Sequence, residues 1–304
     1  MIDSVLLIAF GGPTAPSEIR PFLDNVTRGR RIPPERIDEV TRHYERMPGG
    51  RSPLNDRTLA QARALERVLA ERGRALPVFV GMRNWHPYIH ETLGVMKTRG
   101  HRAACGIIMS AMRTEASWDR YRADVAEARA RLTGAPDVVF APAWFDQPGF
   151  IEAVADRTRA VLEAIPADRR EWTPMVFTAH SVPTAMADAS PYVDDFTDAA
   201  HAVADRLELR RFTLAYQSRS GNPTDSWLAP DIGDVIRSIA NDGEKDAVII
   251  PIGFVCDHVE VLYDLDVEAR ALAQSLGVTL YRAATVNDHP AFVNALADLV
   301  LAAS

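Results

Sequence analysis

The chain has 304 residues, 47% of them apolar and 25% charged, a balance that builds packed cores and excludes a wholly disordered chain. Its formal charge of −7 argues against a general nucleic-acid surface, which needs a dense positive stripe. All but two of the 34 basic residues are arginine, Lys97 and Lys245 being the exceptions; guanidinium suits bidentate carboxylate recognition, although genomic base composition accounts for the bias equally well.

Taken in chain order, the start, MIDSVLLIAFGG, lacks a basic leader region, and its short apolar run is expected to be a buried strand rather than a signal peptide. Further β-rich runs follow at 77–82 (PVFVGM), 105–110 (CGIIMS) and 138–142 (VVFAP), each preceding helix-like sequence. A helix over 55–72 is expected to turn Leu59, Ala62, Leu65 and Leu69 inward, and another runs from Glu115 to Leu132. The pattern then repeats: strands at 175–179 (MVFTA), 212–217 (FTLAYQ), 247–252 (AVIIPI) and 278–282 (VTLYR), and a last helix over 289–302.

Uniformly apolar strands separated by amphipathic helices imply an α/β protein with parallel sheets covered on both faces. Two Rossmann-like domains are expected, 1–146 and 147–304, with the last helix packing back on the N-terminal half. No segment approaches the ~18 apolar residues of a membrane span. Cys105 and Cys256 lie far apart and form no CxxC pair, so a reducing, cytoplasmic setting fits.

Ligands of such sheets bind beyond the carboxyl ends of strands. That rule selects Phe10 to Pro13, Gly81 to Trp85, Ser110 to Thr114, Thr178 to Ser181, Gln217 to Trp227 and Gly253 to Glu260. Among these His180, His258 and Glu260 are ionisable groups at strand ends. A histidine titrates near neutrality and, when neutral, ligates divalent metals; one His with one carboxylate makes an open, weak site that can pass a metal on. Read alone, His180 is equally a hydrogen-bonded structural histidine, and His258 can simply orient its turn. Glu260, Asp264 and Glu268 fall at i, i+4 and i+8, so an α-helix would put all three carboxylates on one face, either as a cation ladder or as a solvated surface.

FTAHSVP and GFVCDHVEVLYDLD, together with LLIAFGGP, NVTRGRRIP, HYERMPGGRSPLN, GMRNWHPYI and YQSRSGNPTDSWLAPDI in order, resemble the ferrochelatase family over essentially the whole chain. The resemblance implies two four-stranded Rossmann-type domains with a porphyrin held in the cleft between them. It implies that His180 and Glu260 bind ferrous iron and remove the pyrrole protons, and that Asp264 and Glu268 deliver the metal. Within the family the short polar segment Glu45 to Pro53 looks like the bacterial coproporphyrin III branch, which makes coprohaem for haem synthesis, rather than the branch with an apolar, membrane-facing lip. By position Phe10, Arg28, Tyr44, Ser52 and Tyr121 match residues that contact the tetrapyrrole or its propionates.

Three departures stand out. Phe10 replaces a tyrosine whose phenolate ligates product iron in some relatives; Ser110-Ala111-Met112-Arg113-Thr114 replaces a segment with one more polar pocket group; His43 replaces an arginine beside Tyr44. The resemblance further implies iron as substrate with no tightly bound cofactor, and no iron–sulfur cluster, because the cysteine-bearing extension of some relatives does not follow Ser304. It also implies a cytoplasmic monomer without membrane insertion, handing product transiently to a downstream haem-pathway enzyme. The alternatives are a protoporphyrin IX ferrochelatase, a haem or porphyrin carrier without catalysis, and a cobalt or nickel chelatase for a more reduced tetrapyrrole.

Overall fold

Eight parallel strands make two four-stranded sheets in the structure, a computed structural model that describes residues 1–29, 32–220 and 225–303. Arg30, Arg31 and 221–224, which fall within two of the motifs above, lie outside the described residues. Strands β1 (Ser4–Ala9), β2 (Val78–Met82), β3 (Ala103–Ile108) and β4 (Asp137–Phe140) are ordered β2-β1-β3-β4. Strands β5 (Met175–His180), β6 (Thr213–Gln217), β7 (Asp246–Ile250) and β8 (Thr279–Arg282) repeat that order as β6-β5-β7-β8. All eight strands expected from the sequence are present, shifted only at their ends.

The central strands explain the composition. Every residue of β1 is buried, as an interior parallel strand covered on both faces requires, whereas β4, at a sheet edge, alternates exposed and half-buried positions. By contacts the chain divides into two units: Met1–Met109 with Ala116–Pro142 and the chain from Leu296 on, and Ser110–Glu115 with Ala143–Ala295.

In the first unit the helix Leu54–Glu71 buries Leu54, Thr58, Gln61, Ala62, Leu65 and Leu69. Leu59 is exposed, contrary to expectation: at 100° per residue it lies about 120° around the helix from Leu65. The helix expected from Glu115 opens with a π turn, Glu115–Asp119, before the α-helix Arg120–Ala130.

In the second unit Trp144, Phe150 and Phe292 pack with ring centroids 5.4–5.9 Å apart. Under β7, Val261 and Leu265 are fully buried among Ile236, Ile249 and Ala273, each contributing about 1.5–3 kcal/mol. Each follows an acidic residue, Glu260 and Asp264, by one position. Anchoring Val261 and Leu265 in the core therefore keeps the neighbouring carboxylates out of it.

Candidate active site

His180 is the last residue of β5, opposite Gln217 at the end of β6. Its backbone is fixed from two sides: the Tyr192 hydroxyl donates to the His180 carbonyl at 2.7 Å, and the Ser181 N–H donates to the Gln217 carbonyl at 2.7 Å. The segment after β7 approaches closely here. Gly253 donates its N–H to the Thr178 carbonyl at 3.0 Å, and a Cβ on it would lie 2.6 Å from Ala179 Cα, so any larger residue would push the two strand ends apart.

The imidazole Nδ1 faces the Ser181 carbonyl oxygen. That oxygen only accepts, so Nδ1 carries the proton and Nε2 is left as the reactive nitrogen. Nε2 lies 3.7 Å from Glu260 Oε1, with the side chains 29% and 41% exposed. At that distance the pair is ionic, rather than hydrogen-bonded, whenever the ring takes up its second proton at Nε2. Burial alone would depress the His180 pKa, but the Glu260 carboxylate, the Ser181 carbonyl and the Asp264 charge together outweigh it and raise the value. Burial likewise opposes Glu260 ionisation, yet the imidazole holds its carboxyl at about 2. A separation of 3.7 Å is also within the ~4.2 Å spanned by two metal–ligand bonds of about 2.1 Å, so one divalent ion can replace the proton between them. Among the described residues no three His, Cys, Asp or Glu side chains group as a metal site, and a two-donor site is open by construction.

His258 has a different job. It caps the short helix Val259–Leu262, its Nδ1 accepting the Glu260 N–H at 3.2 Å, and burial lowers its pKa in spite of the nearby Glu260 and Asp257 charges. A neutral, accepting Nδ1 is what this cap needs.

The acidic row departs from expectation. It does not lie on one continuous α-helix: Val259–Leu262 runs into a π turn, Asp264–Ala269, closed by the Glu268 N–H on the Tyr263 carbonyl at 3.0 Å, before α-helix resumes at Arg270. Seating Val261 and Leu265 in the core while meeting Ser218 favours the wider turn; π turns of this kind recur at functional sites. The three carboxylates still sense one another. Burial, and then the charges of Glu260 and Glu268, raise Asp264 to about 7 against the hydrogen bond from Ser218 Oγ. Glu268 is exposed, while Asp264 and Glu260 are half-buried.

Sequence reading singled out the stretch from Gln217 but no residue in it. Gln217, 1% exposed, donates from Nε2 to the Glu260 carbonyl at 2.6 Å. Ser218 adopts φ +62° to turn its hydroxyl onto Asp264. Two consecutive residues thus fix Glu260 through its backbone and Asp264 through its side chain. A polar pair ending an apolar strand, YQS, was the available signal.

In the first unit, Phe10 follows β1 and is 38% exposed. Its ring meets Phe22 edge-on at 6.4 Å, and Tyr44 and Trp85 each meet Phe22 at 5.9 Å, so Phe10 and Tyr44 share one aromatic cluster. The Asn84 backbone and side-chain amides both donate to the Phe10 carbonyl, at 2.9 and 3.2 Å. Gly11, at φ +85°, allows this approach, for a Cβ there would lie 3.0 Å from the Trp85 nitrogen. Arg28 is exposed and near enough to Tyr88 to oppose the upward shift that burial gives its phenol. Tyr121 is buried beneath the Arg83 guanidinium, 5.7 Å from its ring centre, and Arg83 is held by Asp124 at 2.6 Å. Ser52 is buried, its N–H on the Pro13 carbonyl at 2.9 Å and its hydroxyl accepting from Leu54 N at 3.3 Å. Met112 is buried, and burial together with nearby arginines lowers His43 to about 4. No helix among the described residues is long and apolar enough to cross a membrane.

Comparison with protein families matches residues 3–304 to the model described as Ferrochelatase. A Mycobacterium leprae protein named coproporphyrin III ferrochelatase is 43% identical over 304 residues, covering 99% of this chain and 89% of that protein. One of the same name from Streptomyces griseus is 41% identical over 318 residues, covering 98% and 84%. Among solved structures, SirB from Bacillus subtilis with Fe3+ matches with a TM-score of 0.61 at 12% identity, covering 99% of this chain and 95% of that one. CbiX, the terminal enzyme of sirohaem biosynthesis in denitrifying bacteria, matches with a TM-score of 0.56 at 14% identity, covering 99% of each. At these identities the structural likeness bears on the fold alone.

Proposed function

This chain belongs to the ferrochelatase family, and we propose that it inserts ferrous iron into coproporphyrin III to give coprohaem. The observation that carries the reading is the His180 Nε2 set 3.7 Å from Glu260 Oε1 in an open arrangement. A porphyrin must lose two pyrrole protons as iron enters, and it shields its nitrogens while flat. A site that binds the distorted macrocycle more tightly puts binding energy into the reaction.

In this reading His180 Nε2 takes the pyrrole protons one at a time, releasing the first to solvent before it accepts the second, and Glu260 stabilises the imidazolium that forms. The raised basicity of His180 suits proton capture from a weakly acidic N–H. Iron reaching the pair expels its proton, because imidazole and carboxylate ligate only in their deprotonated forms. Asp264 and Glu268 lead the cation inward. Phe10, Tyr44, Arg28, Ser52 and Tyr121 form the tetrapyrrole-binding set, with guanidinium and hydroxyl donors meeting the propionates; Phe10 offers product iron no axial ligand. The same reading has the protein act as a cytoplasmic monomer that needs no resident cofactor and passes product to a downstream haem-pathway enzyme.

The test is anaerobic turnover of ferrous iron with coproporphyrin III, followed by the appearance of coprohaem. His180→Ala abolishes it; retained turnover would take His180 out of the mechanism. A preference for protoporphyrin IX over coproporphyrin III would overturn the substrate assignment.

A further inference from the structure

A buried arginine ties together the two ends of the segment that bears Glu260, one of the two proposed iron ligands, and Asp264. Arg282 ends β8, paired with Ile249 of β7, and its side chain is 11% exposed. Its guanidinium grips Asp266 with both Nε and Nη2, at 2.8 Å each, and reaches Asp257 Oδ1 from Nη1 at 2.9 Å. Asp257 stands just before His258, and Asp266 lies in the π turn two residues beyond Asp264. One planar cation therefore closes 257–266 into a loop, with Glu260 and Asp264 inside it.

The anchorage at Asp257 is rigid. Asn287, held at φ +45°, donates to Asp257 Oδ2 at 2.8 Å and accepts the Asp257 N–H at 3.0 Å; the Thr285 N–H adds a third donor to the carboxylate at 3.3 Å. Arg270 also donates to Asp266 Oδ1, at 3.1 Å, which leaves two arginines and two aspartates in balance.

We infer that Arg282 is a positioning residue for iron entry, setting the distance between Glu260 and Asp264 by holding Asp257 and Asp266 at once. The inference rests on the iron-insertion reading of this site. Lysine keeps the charge but has no fork with which to hold two carboxylates in a fixed geometry, so Arg282→Lys separates geometry from charge. Groups that orient metal ligands from behind them alter metal affinity or activity by about 10- to 100-fold.

Initial rates are measured anaerobically for wild type, Arg282→Lys, Asp266→Asn and the double variant, varying iron and coproporphyrin III in turn. The expected result is a KM for ferrous iron raised about 10- to 100-fold in Arg282→Lys, with the porphyrin KM changed by less than about twofold, and a double variant no worse than Arg282→Lys alone. A lowered melting temperature with the iron KM unchanged, or equal changes in both KM values, would overturn it. Should Arg282→Lys not fold, Asp266→Asn decides by the same KM split. If wild type inserts no iron, the functional reading fails separately, and cobalt(II) absorption titration without porphyrin tests the positioning: equal cobalt affinity in wild type and Arg282→Lys or Asp266→Asn refutes it.

Discussion

Replacing Asp264 by asparagine isolates the electrostatic strain of the acidic row. Burial and the charges of Glu260 and Glu268 raise this carboxyl from 3.8 to about 7. An acid whose folded pKa is raised keeps its proton in the native state after the unfolded chain has lost it, so stability falls as pH rises from about 4 to about 7 and is level above that. At about 1.4 kcal/mol per pKa unit, the strain grows from under 1 kcal/mol near pH 4 to about 4 kcal/mol near pH 8. An asparagine amide oxygen still accepts the hydrogen bond that Ser218 now gives Asp264, so Asp264→Asn removes the charge and little else. Urea unfolding in a chelating buffer, at steps from about pH 4 to pH 8, gives the comparison. The variant should match wild type at the acid end and exceed it by a few kcal/mol at the alkaline end. A difference that is flat across this range would refute the reasoning; so would one that shrinks as pH rises.

Gly253→Ala puts a methyl group 2.6 Å from Ala179 Cα, and denaturant titration should show a loss of about 1–3 kcal/mol, together with slower iron insertion as His180 shifts. Arg113→Met strips the bidentate partner from Asp195, which is 1% exposed; a loss of about 3–5 kcal/mol is expected by thermal unfolding, with Asp195→Asn in the same background restoring part of it. Phe10→Tyr offers a phenol at an exposed position beside Phe22, and the product complex, once oxidised to the ferric state with ferricyanide, should gain a phenolate charge-transfer band in its visible spectrum that wild type lacks. Insertion rates in wild type should rise as pH climbs through the raised His180 pKa, since only the neutral imidazole accepts a proton; a rate that is flat or falls through that range would refute this.

Periodicity carries the fold because it reports burial. Strands buried on both faces read as unbroken apolar runs, so β1, β5 and β7 stand out without any alignment, and the repeated order of strands and helices gives two parallel sheets. Helix faces were less legible. Leu59 is as apolar as Leu65 yet exposed, because composition does not show which side of a helix meets the sheet. The π turn at Asp264–Ala269 was illegible for a stronger reason: its sequence suits an α-helix, and the wider turn answers to packing of Val261 and Leu265 and to the reach of Ser218, contacts far apart in sequence.

The site divides along the same line. His180 and Glu260 were visible as ionisable groups at strand ends, and the family motifs around them gave them a chemistry. Gln217, Ser218, Tyr192 and Arg282 were not visible as site residues, because each acts through another group across 12 to 46 residues of chain. By itself the sequence determined the layered parallel architecture, the family and the chemically able side chains, since these depend on local pattern and residue type. Only the tertiary structure decided which nitrogen of His180 faces Glu260, that His258 is a cap, that Asp264 is raised towards neutrality and that one arginine spans the segment carrying Glu260 and Asp264. Those properties are set by distance and burial, which arise when separate strand ends are folded against one another.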